Sequence, residues 1–130
     1  MTKFVFICSL LLSLSCLADA GQRNTISQFM GAWEGLGKQD NGTQWSIRVN
    51  IRPNFYVIDY PSLTCGGVLT LLKTTDTSLV FKETLTYSIT QCINHGEVVL
   101  NKIAEHKAGY HWFSQQNKIK AVGDLTRPLP

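Results

Sequence analysis

Short runs in which apolar and polar residues alternate recur along most of this chain. Residues 45–51 are the clearest case: Trp45, Ile47, Val49 and Ile51 fall on one face, and polar side chains fall on the other. A period of two is typical of a half-buried β-strand. We therefore predict eight short strands, at residues 31–37, 45–51, 55–60, 67–73, 79–87, 98–103, 110–113 and 118–126.

The segments between these runs are rich in turn-forming residues. Asp40-Asn41-Gly42 is a strong hairpin signal, and Asn41 also begins a sequon for N-glycosylation. Pro53 separates the second strand from the third. Residues 25–30 form the one amphipathic piece, which we predict to be about one helical turn. Many strands and almost no helix predict an all-β antiparallel barrel or sandwich.

The first residues are expected to be a secretory signal peptide. Lys3 is basic, residues 4–17 are almost entirely apolar, and residues 18–20 read Ala-Asp-Ala. This order is typical of a cleavable signal, and the apolar run is short for a membrane span. An alternative is a lipoprotein anchored at Cys16. We expect residues 1–20 to be the signal peptide, residues 21–30 a short N-terminal segment, residues 31–127 one β-barrel domain and residues 128–130 a tail. We expect the mature protein to be periplasmic or secreted.

The cysteine count favours one disulfide. Cleavage would remove Cys8 and Cys16 and leave Cys65 and Cys92, which in an exported domain most simply pair with each other. The bridge would close a loop of about 27 residues and stabilise the fold by roughly 3 kcal/mol. The alternative is two free buried thiols.

The expected bridge also selects the topology. In an up-and-down barrel, the loops that follow the third and fifth strands lie at the same end, which brings Cys65 and Cys92 near each other. A closed barrel also has no unpaired edge strands. We therefore predict an eight-stranded antiparallel up-and-down barrel with one disulfide.

The charge of the chain excludes one class of partner. The net charge is +3, and it stays +3 when Lys3 and Asp19 leave with the signal. The basic residues are spread along the chain rather than clustered with aromatic side chains, as they would be on a nucleic-acid surface. We expect no nucleic-acid partner and no membrane span in the mature chain.

Two motifs resemble known families. Gly31-Ala32-Trp33, together with Arg127 after the last strand, resembles the G-x-W and arginine signature of lipocalin-like (calycin) barrels. That resemblance implies that Arg127 packs across Trp33 at the closed end of the barrel, beside a short leading turn. The middle of the chain is similar to small exported bacterial barrels, some of them appended to receptor-like kinases; the matching residues are Tyr60, Pro61, Leu63, Cys65, Gly67, Leu69, Glu83 and Cys92. This second resemblance implies a fold and a compartment but no ligand.

Glu83 is the most informative polar residue. It is in phase with Leu79, Phe81, Leu85 and Tyr87, which we predict to form the inner face of the fifth strand. A buried carboxylate must be paired or protonated. Glu83 is therefore either a ligand-anchoring acid, or a structural acid bonded to a tyrosine hydroxyl or to Arg127, or a residue turned outward by a bulge. Three aromatic residues near the disulfide end, Trp45, Tyr60 and Tyr87, either line a ligand-binding mouth with Glu83 or serve as core and rim.

No catalytic or metal-binding pattern stands out. The three histidines are His95, His106 and His111, of which the last two flank one hairpin, and their spacing does not suggest a metal site. We find no nucleophile with a neighbouring base, so we expect neither catalysis nor a cofactor.

Two functions remain open. The first is a binding module that holds a small apolar or amphipathic molecule at the barrel mouth. The second is a protein-recognition domain, such as an inhibitor or immunity protein, which acts through the loops at residues 40–43, 61–64, 88–95 and 115–117. A pocket of roughly 300–1,000 Å³ would favour the first function, and a filled barrel would favour the second.

Overall fold

The computed structural model describes residues 20–128. The predicted signal peptide therefore lies outside the described residues except for Ala20, and so does the tail beyond Pro128. No helix in the described part of the chain has the length and hydrophobicity needed to cross a membrane.

Eight β-strands form one closed antiparallel barrel in which each strand pairs with its neighbours in sequence and β8 pairs with β1. The strands are β1 (Gly31–Gln39), β2 (Gln44–Arg52), β3 (Phe55–Tyr60), β4 (Cys65–Thr74), β5 (Ser78–Tyr87), β6 (Glu97–Ala104), β7 (Lys107–Phe113) and β8 (Lys120–Thr126). The predicted eight-stranded up-and-down barrel is confirmed.

Three strands begin two or three residues away from the predicted start. β4 begins at Cys65 itself, and β7 begins at Lys107, because the backbones of β3 and β6 continue the ladder further than side-chain polarity suggests. β8 begins only at Lys120, because Lys118, which follows the 3-10 turn over Gln115–Asn117, has helical φ and ψ angles of −74° and −34° rather than extended ones.

The interior of the barrel is filled by the inward-facing side chains of the strands. Ile47, Val49 and Ile51 are at most 1% exposed, and Trp45 is 8% exposed, which confirms the predicted inner face of β2. Leu79, Phe81 and Leu85 of β5 are also buried. This burial of apolar surface supplies the main stabilising free energy of the fold.

A helix closes one end of the barrel. It runs through residue 28, which makes it longer than the single turn predicted at residues 25–30. Phe29, directly after it, is fully buried and its carbonyl accepts a 2.8 Å hydrogen bond from Nε1 of Trp33. Thr25 Oγ1 donates to the carbonyl of Thr75, in the β4–β5 turn, at 2.8 Å. The helix is thus attached both to the core and to a turn at this end, which we call the closed end.

Arg127 and Trp33 stack at the closed end, as the lipocalin-like resemblance implies. The guanidinium carbon of Arg127 lies 4.3 Å from the centroid of the Trp33 ring. Its Nη1 donates to the carbonyls of Met30, at 2.8 Å, and Gln28, at 3.1 Å. Gly31 has a φ angle of +116°, and a Cβ there would lie 3.4 Å from Cδ of Arg127. Glycine therefore lets the chain turn from the helix into β1 directly beneath the arginine.

The disulfide between Cys65 and Cys92 is present, and its Cα atoms are 6.5 Å apart. Cys65 is fully buried at the start of β4, whereas Cys92 lies in the β5–β6 loop. The bridge therefore fixes that loop to the barrel wall at the end opposite the helix, which we call the open end.

Candidate functional site: an aromatic pocket at the open end

A pocket of about 220 Å³ opens at the disulfide end of the barrel. Its walls come from the inner faces of the strands and from the β5–β6 loop; the lining residues are Gln39, Thr43, Trp45, Tyr60, Leu63, Glu83, Gln91, Cys92, Ile93, Tyr110 and Trp112. The volume lies below the range of roughly 300–1,000 Å³ of drug-sized sites, but an apolar cavity of about 150 Å³ already holds benzene. The pocket therefore has room for one aromatic ring with a short substituent.

Glu83 is buried at the floor of this pocket and accepts two hydrogen bonds. Its side chain is 1% exposed. The Tyr60 hydroxyl donates to Oε2 at 2.5 Å, and Nε1 of Trp112 donates to Oε1 at 3.2 Å. The prediction of an inward Glu83 is confirmed, and a tyrosine hydroxyl is one of its partners. Arg127 is not a partner, because it lies at the closed end.

The hydrogen bonds continue beyond Glu83. The hydroxyls of Tyr60 and Tyr110 are 2.9 Å apart, so Tyr110 can donate to Tyr60 while Tyr60 donates to the carboxylate. Burial is the main reason that the pKa of Tyr60 is raised well above its usual value. Burial, followed by the nearby Glu83 charge, also raises the pKa of Tyr110. Both tyrosines therefore remain neutral hydrogen-bond donors at physiological pH.

The pKa of Glu83 is raised above its ordinary value, because its burial outweighs the opposing hydrogen bonds from Tyr60 and Trp112. Within residues 20–128, no lysine, arginine or histidine forms an ion pair with this carboxylate; Arg48 pairs with Glu34 and Arg127 with Glu105 instead. The fold therefore buries an acid with neutral donors and without a balancing cation, which is an unfavourable environment for its charged form.

Trp45 is the second unusual polar group of the pocket. Its side chain is 8% exposed, and its Nε1 atom is buried without a hydrogen-bond partner among the described residues. It lies near the Tyr110 hydroxyl and acts to lower the pKa of Tyr110, against the larger effect of burial, but the two groups do not meet in hydrogen-bond geometry. Buried polar groups in native structures nearly always have a hydrogen-bond partner, so this indole N–H is an exception among the pocket residues.

Two glycines make room for the two pocket tryptophans. A Cβ on Gly37 would lie 2.9 Å from Nε1 of Trp45, and a Cβ on Gly96 would lie 2.4 Å from Nε1 of Trp112. Either contact is closer than van der Waals packing allows. Because residues 37 and 96 are glycines and have no side chain, the indole rings of Trp45 and Trp112 can occupy these positions.

The prediction that Tyr87 belongs to the inner face and to the site is wrong. Tyr87 is 44% exposed, and its hydroxyl donates to Oδ1 of Asp59 at 2.5 Å on the outside of the barrel. The cause is a β-bulge: Gly66 pairs with Tyr87, but the next residue, Gly67, pairs with Leu85. The extra residue in β5 reverses the alternation after Leu85, so Tyr87 points outward.

Sequence reasoning missed Tyr110 and Trp112. Both are buried in β7, in phase with Ala108, and both take part in the network around Glu83. The predicted strand covered only residues 110–113, which is too short to show which residues face inward. The longer run from Lys107 to Phe113 contains that alternation and was the available signal.

The loops of the open end carry unusual backbone conformations. In the described part of the chain, every non-glycine residue with positive φ lies in a loop or turn of this end: Thr64, Ser88, His95, Gln116 and Asn117. Such conformations are uncommon outside glycine, cost roughly 1–3 kcal/mol when strained, and cluster at functional sites. Three of the four loops predicted to recognise a protein contain these residues.

The histidines do not converge. His95 lies in the β5–β6 loop of the open end, His106 lies in the β6–β7 turn of the closed end, and His111 stacks on Phe113. Among residues 20–128, no group of three or more histidine, cysteine, aspartate or glutamate side chains is placed to hold a metal ion.

Comparison with known proteins gives structural likenesses only. No protein-family model and no curated protein matches the chain. A redesigned β-barrel matches with a TM-score of 0.61 and 13% identity, covering 82% of this chain and 96% of the other. A redesigned β-barrel, mFAP1, bound to DFHBI, matches with a TM-score of 0.61 and 13% identity over 80% of this chain and 99% of the other.

A third structure, EF1p2_mFAP2b bound to DFHBI, has a TM-score of 0.59 and 12% identity, covering 82% of this chain and 98% of the other. At these identities the likenesses concern the fold alone. The comparison therefore supports a closed β-barrel fold for this chain.

Proposed function

We propose that this protein is an exported binding module that holds a small amphipathic molecule in the aromatic pocket at its open end. The observation that carries the proposal is Glu83, a buried acid that has no cationic partner within residues 20–128 and lies on the floor of a pocket walled by Trp45, Tyr60, Tyr110 and Trp112. A buried polar group of this kind fixes the orientation of a ligand in an otherwise apolar site. Two barrels of similar fold are bound to DFHBI, which is consistent with this use of the fold.

The proposal concerns binding without chemical conversion. Among the described residues that line the pocket, Glu83 is the one acid, and Cys92, the one cysteine, is in the disulfide. Among the lining residues, the Tyr60 hydroxyl donates to the Glu83 carboxylate, but its pKa is raised well above the usual value, so this hydroxyl stays protonated and is a weak nucleophile.

Export is part of the proposal. The basic, apolar and Ala-Asp-Ala pattern of residues 1–20 supports it, and so does the Cys65–Cys92 bridge, because such bridges persist in oxidising compartments. We further propose kinship with lipocalin-like barrels. The stacking of Arg127 on Trp33 beside the leading helix supports this relationship.

Two isoleucines of the β5–β6 loop provide a matched test. Ile93 lines the pocket and is 48% exposed, whereas Ile89 is 49% exposed and does not line it. A ligand that binds only the folded state raises the melting temperature. We expect benzyl alcohol to raise the melting temperature of the wild type and of Ile89→Trp by similar amounts, and to have little effect on Ile93→Trp, whose added ring covers the opening. Equal shifts in all three proteins would place binding elsewhere, and no shift in any of them would refute the proposal.

Protein recognition is the second candidate, and two observations favour it. The pocket volume of about 220 Å³ lies below the range of roughly 300–1,000 Å³ that is usual for small-molecule sites. Tyr87, Ile89 and Ile93 are each 44–49% exposed around the open end, which is typical of a surface that contacts another protein. Under this alternative, Ile89→Trp and Ile93→Trp would both weaken capture of an exported target, and benzyl alcohol would bind none of the proteins.

A further inference from the structure

We propose that the ligand of the pocket carries a cationic nitrogen on a single aromatic ring, and that the carboxylate of Glu83 binds that nitrogen. This inference rests on the binding function proposed above and specifies the chemical class of its ligand. Three features of the pocket support it: the unused acceptor capacity of Glu83, the aromatic walls, and the absence of a cation near the acid.

The acceptor capacity of Glu83 is only half used. An ionised carboxylate offers about four lone-pair sites on its two oxygens. Tyr60 occupies one site on Oε2 and Trp112 occupies one on Oε1. Because Glu83 lines the pocket, we infer that a donor entering the pocket reaches the remaining sites. A charged N–H donor would form the strongest bond, because charge-assisted hydrogen bonds are roughly twice as strong as neutral ones.

The walls of the pocket suit a cation attached to a ring. Trp45, Tyr60, Tyr110 and Trp112 surround the space above Glu83. The faces of such rings attract a cation, and the attraction grows when the site excludes water. The same rings provide apolar surface for an aromatic body, and the volume of about 220 Å³ limits that body to one ring.

Among amphipathic ligands of equal size, the charge of the ligand should determine how tightly it binds in the pocket. A cation entering the pocket would supply the ion pair that Glu83 lacks within the described residues. A neutral molecule would leave the acid without a counter-charge, and an anion would meet a like charge in a site of low dielectric constant. The pocket should therefore rank ligands by charge in the order cation, neutral molecule, anion.

Three molecules of nearly equal shape test this order. Benzylamine, benzyl alcohol and benzoate share one ring and differ in the charge of the substituent. We expect isothermal titration at neutral pH to show benzylamine binding on the order of tenfold more tightly than benzyl alcohol, and no measurable binding of benzoate. Benzoate binding as tightly as benzylamine would overturn the inference.

A pair of variants assigns the preference to one residue. Glu83→Gln removes the buried charge and keeps the shape, and Glu97→Gln removes an exposed charge at the start of β6. We expect Glu83→Gln to bind benzylamine only as tightly as benzyl alcohol, and Glu97→Gln to retain the tenfold preference. Undiminished preference in Glu83→Gln would also overturn the inference.

The benzyl alcohol measurement separates the two proposals. Its binding to Glu83→Gln shows that the variant is folded and its pocket intact. If benzyl alcohol binds the wild type but benzylamine binds no better, the pocket is a ligand site and the inference about charge fails. If neither molecule binds, the proposed function itself fails. The wild-type comparison needs no variant, so it stands even if Glu83→Gln does not fold.

Discussion

At the scale of single residues, the environment of Glu83 is a competition between burial and hydrogen bonding. Burial disfavours the charged form, and the donors Tyr60 and Trp112 favour it. Burial is the stronger effect, so the pKa of Glu83 is raised in the folded state. The folded protein therefore holds this proton more tightly than the unfolded chain does, and ionisation of Glu83 opposes folding.

The sign of this effect predicts how stability depends on pH. Protonated Glu83 contributes to the free energy of unfolding, and this contribution is fully present below the ordinary pKa of 4.5 that the residue has in the unfolded chain. The contribution is lost as the pH rises from 4.5 through the raised pKa of the folded protein. We expect Glu83→Gln to gain stability relative to the wild type across that window, by about 1.4 kcal/mol for each unit of pKa shift. The titratable side chains that contact Glu83, Tyr60 and Tyr110, remain neutral throughout it.

Urea unfolding of both proteins at a series of pH values would measure this gain. Glu97→Gln is the control, since it removes an exposed carboxylate from the neighbouring strand. A wild type that becomes more stable than Glu83→Gln as the pH rises would show that the hydrogen bonds outweigh burial, contrary to the account given above.

At the scale of structural elements, the β5–β6 loop connects the disulfide to the pocket. Its residues Gln91, Cys92 and Ile93 form part of the pocket wall, and the bridge to Cys65 holds them against β4. The side chain of Asn94 fixes the loop further, because its Oδ1 accepts a 2.8 Å hydrogen bond from the backbone N–H of Leu85. The disulfide and this hydrogen bond therefore hold the loop in place as part of the pocket wall.

Reduction of the bridge should therefore affect both stability and binding. We expect reduced wild type to lose roughly 3 kcal/mol of unfolding free energy, from the entropy of a loop of about 27 residues, and to bind benzyl alcohol more weakly. Urea unfolding with and without reductant measures the first effect and calorimetry the second. The double variant Cys65→Ala/Cys92→Ala is the control, and reductant should leave it unchanged. Undiminished binding by the reduced wild type would mean that the bridge does not organise the wall.

The elements also show where sequence patterns stop being informative. Alternation predicted the inner faces of β2 and most of β5, because burial on one side of a strand imposes a period of two. It failed at Tyr87, because one extra residue at the bulge reverses every later side chain and leaves no mark in the composition. Glu83 could be predicted to face inward, but its partner Trp112 could not be identified, since strand register across the barrel is not visible in local sequence.

At the scale of the whole molecule, the barrel has two chemically different ends. At the closed end, the helix covers the barrel, Arg127 stacks on Trp33, and the indole N–H of Trp33 donates to the carbonyl of Phe29. Nδ1 of His106 is buried at this end without a hydrogen-bond partner among the described residues. The open end contains the buried acid, the unpaired Trp45 N–H and the positive-φ loops. The sequence predicted this polarity of the fold from the loop topology and the Trp33–Arg127 pair, but it did not predict that Tyr110 and Trp112 form part of the pocket wall.

The three tryptophans of the chain allow the most direct test, because one lies at the closed end and two line the pocket. ¹H–¹⁵N correlation NMR spectra of the wild type should resolve one indole N–H signal for each of the three tryptophans during a titration with benzylamine. We predict that the signals of Trp45 and Trp112 shift with a common saturation curve while the signal of Trp33 stays in place. Three unmoved signals, or a Trp33 shift as large as the other two, would contradict a ligand site at the open end.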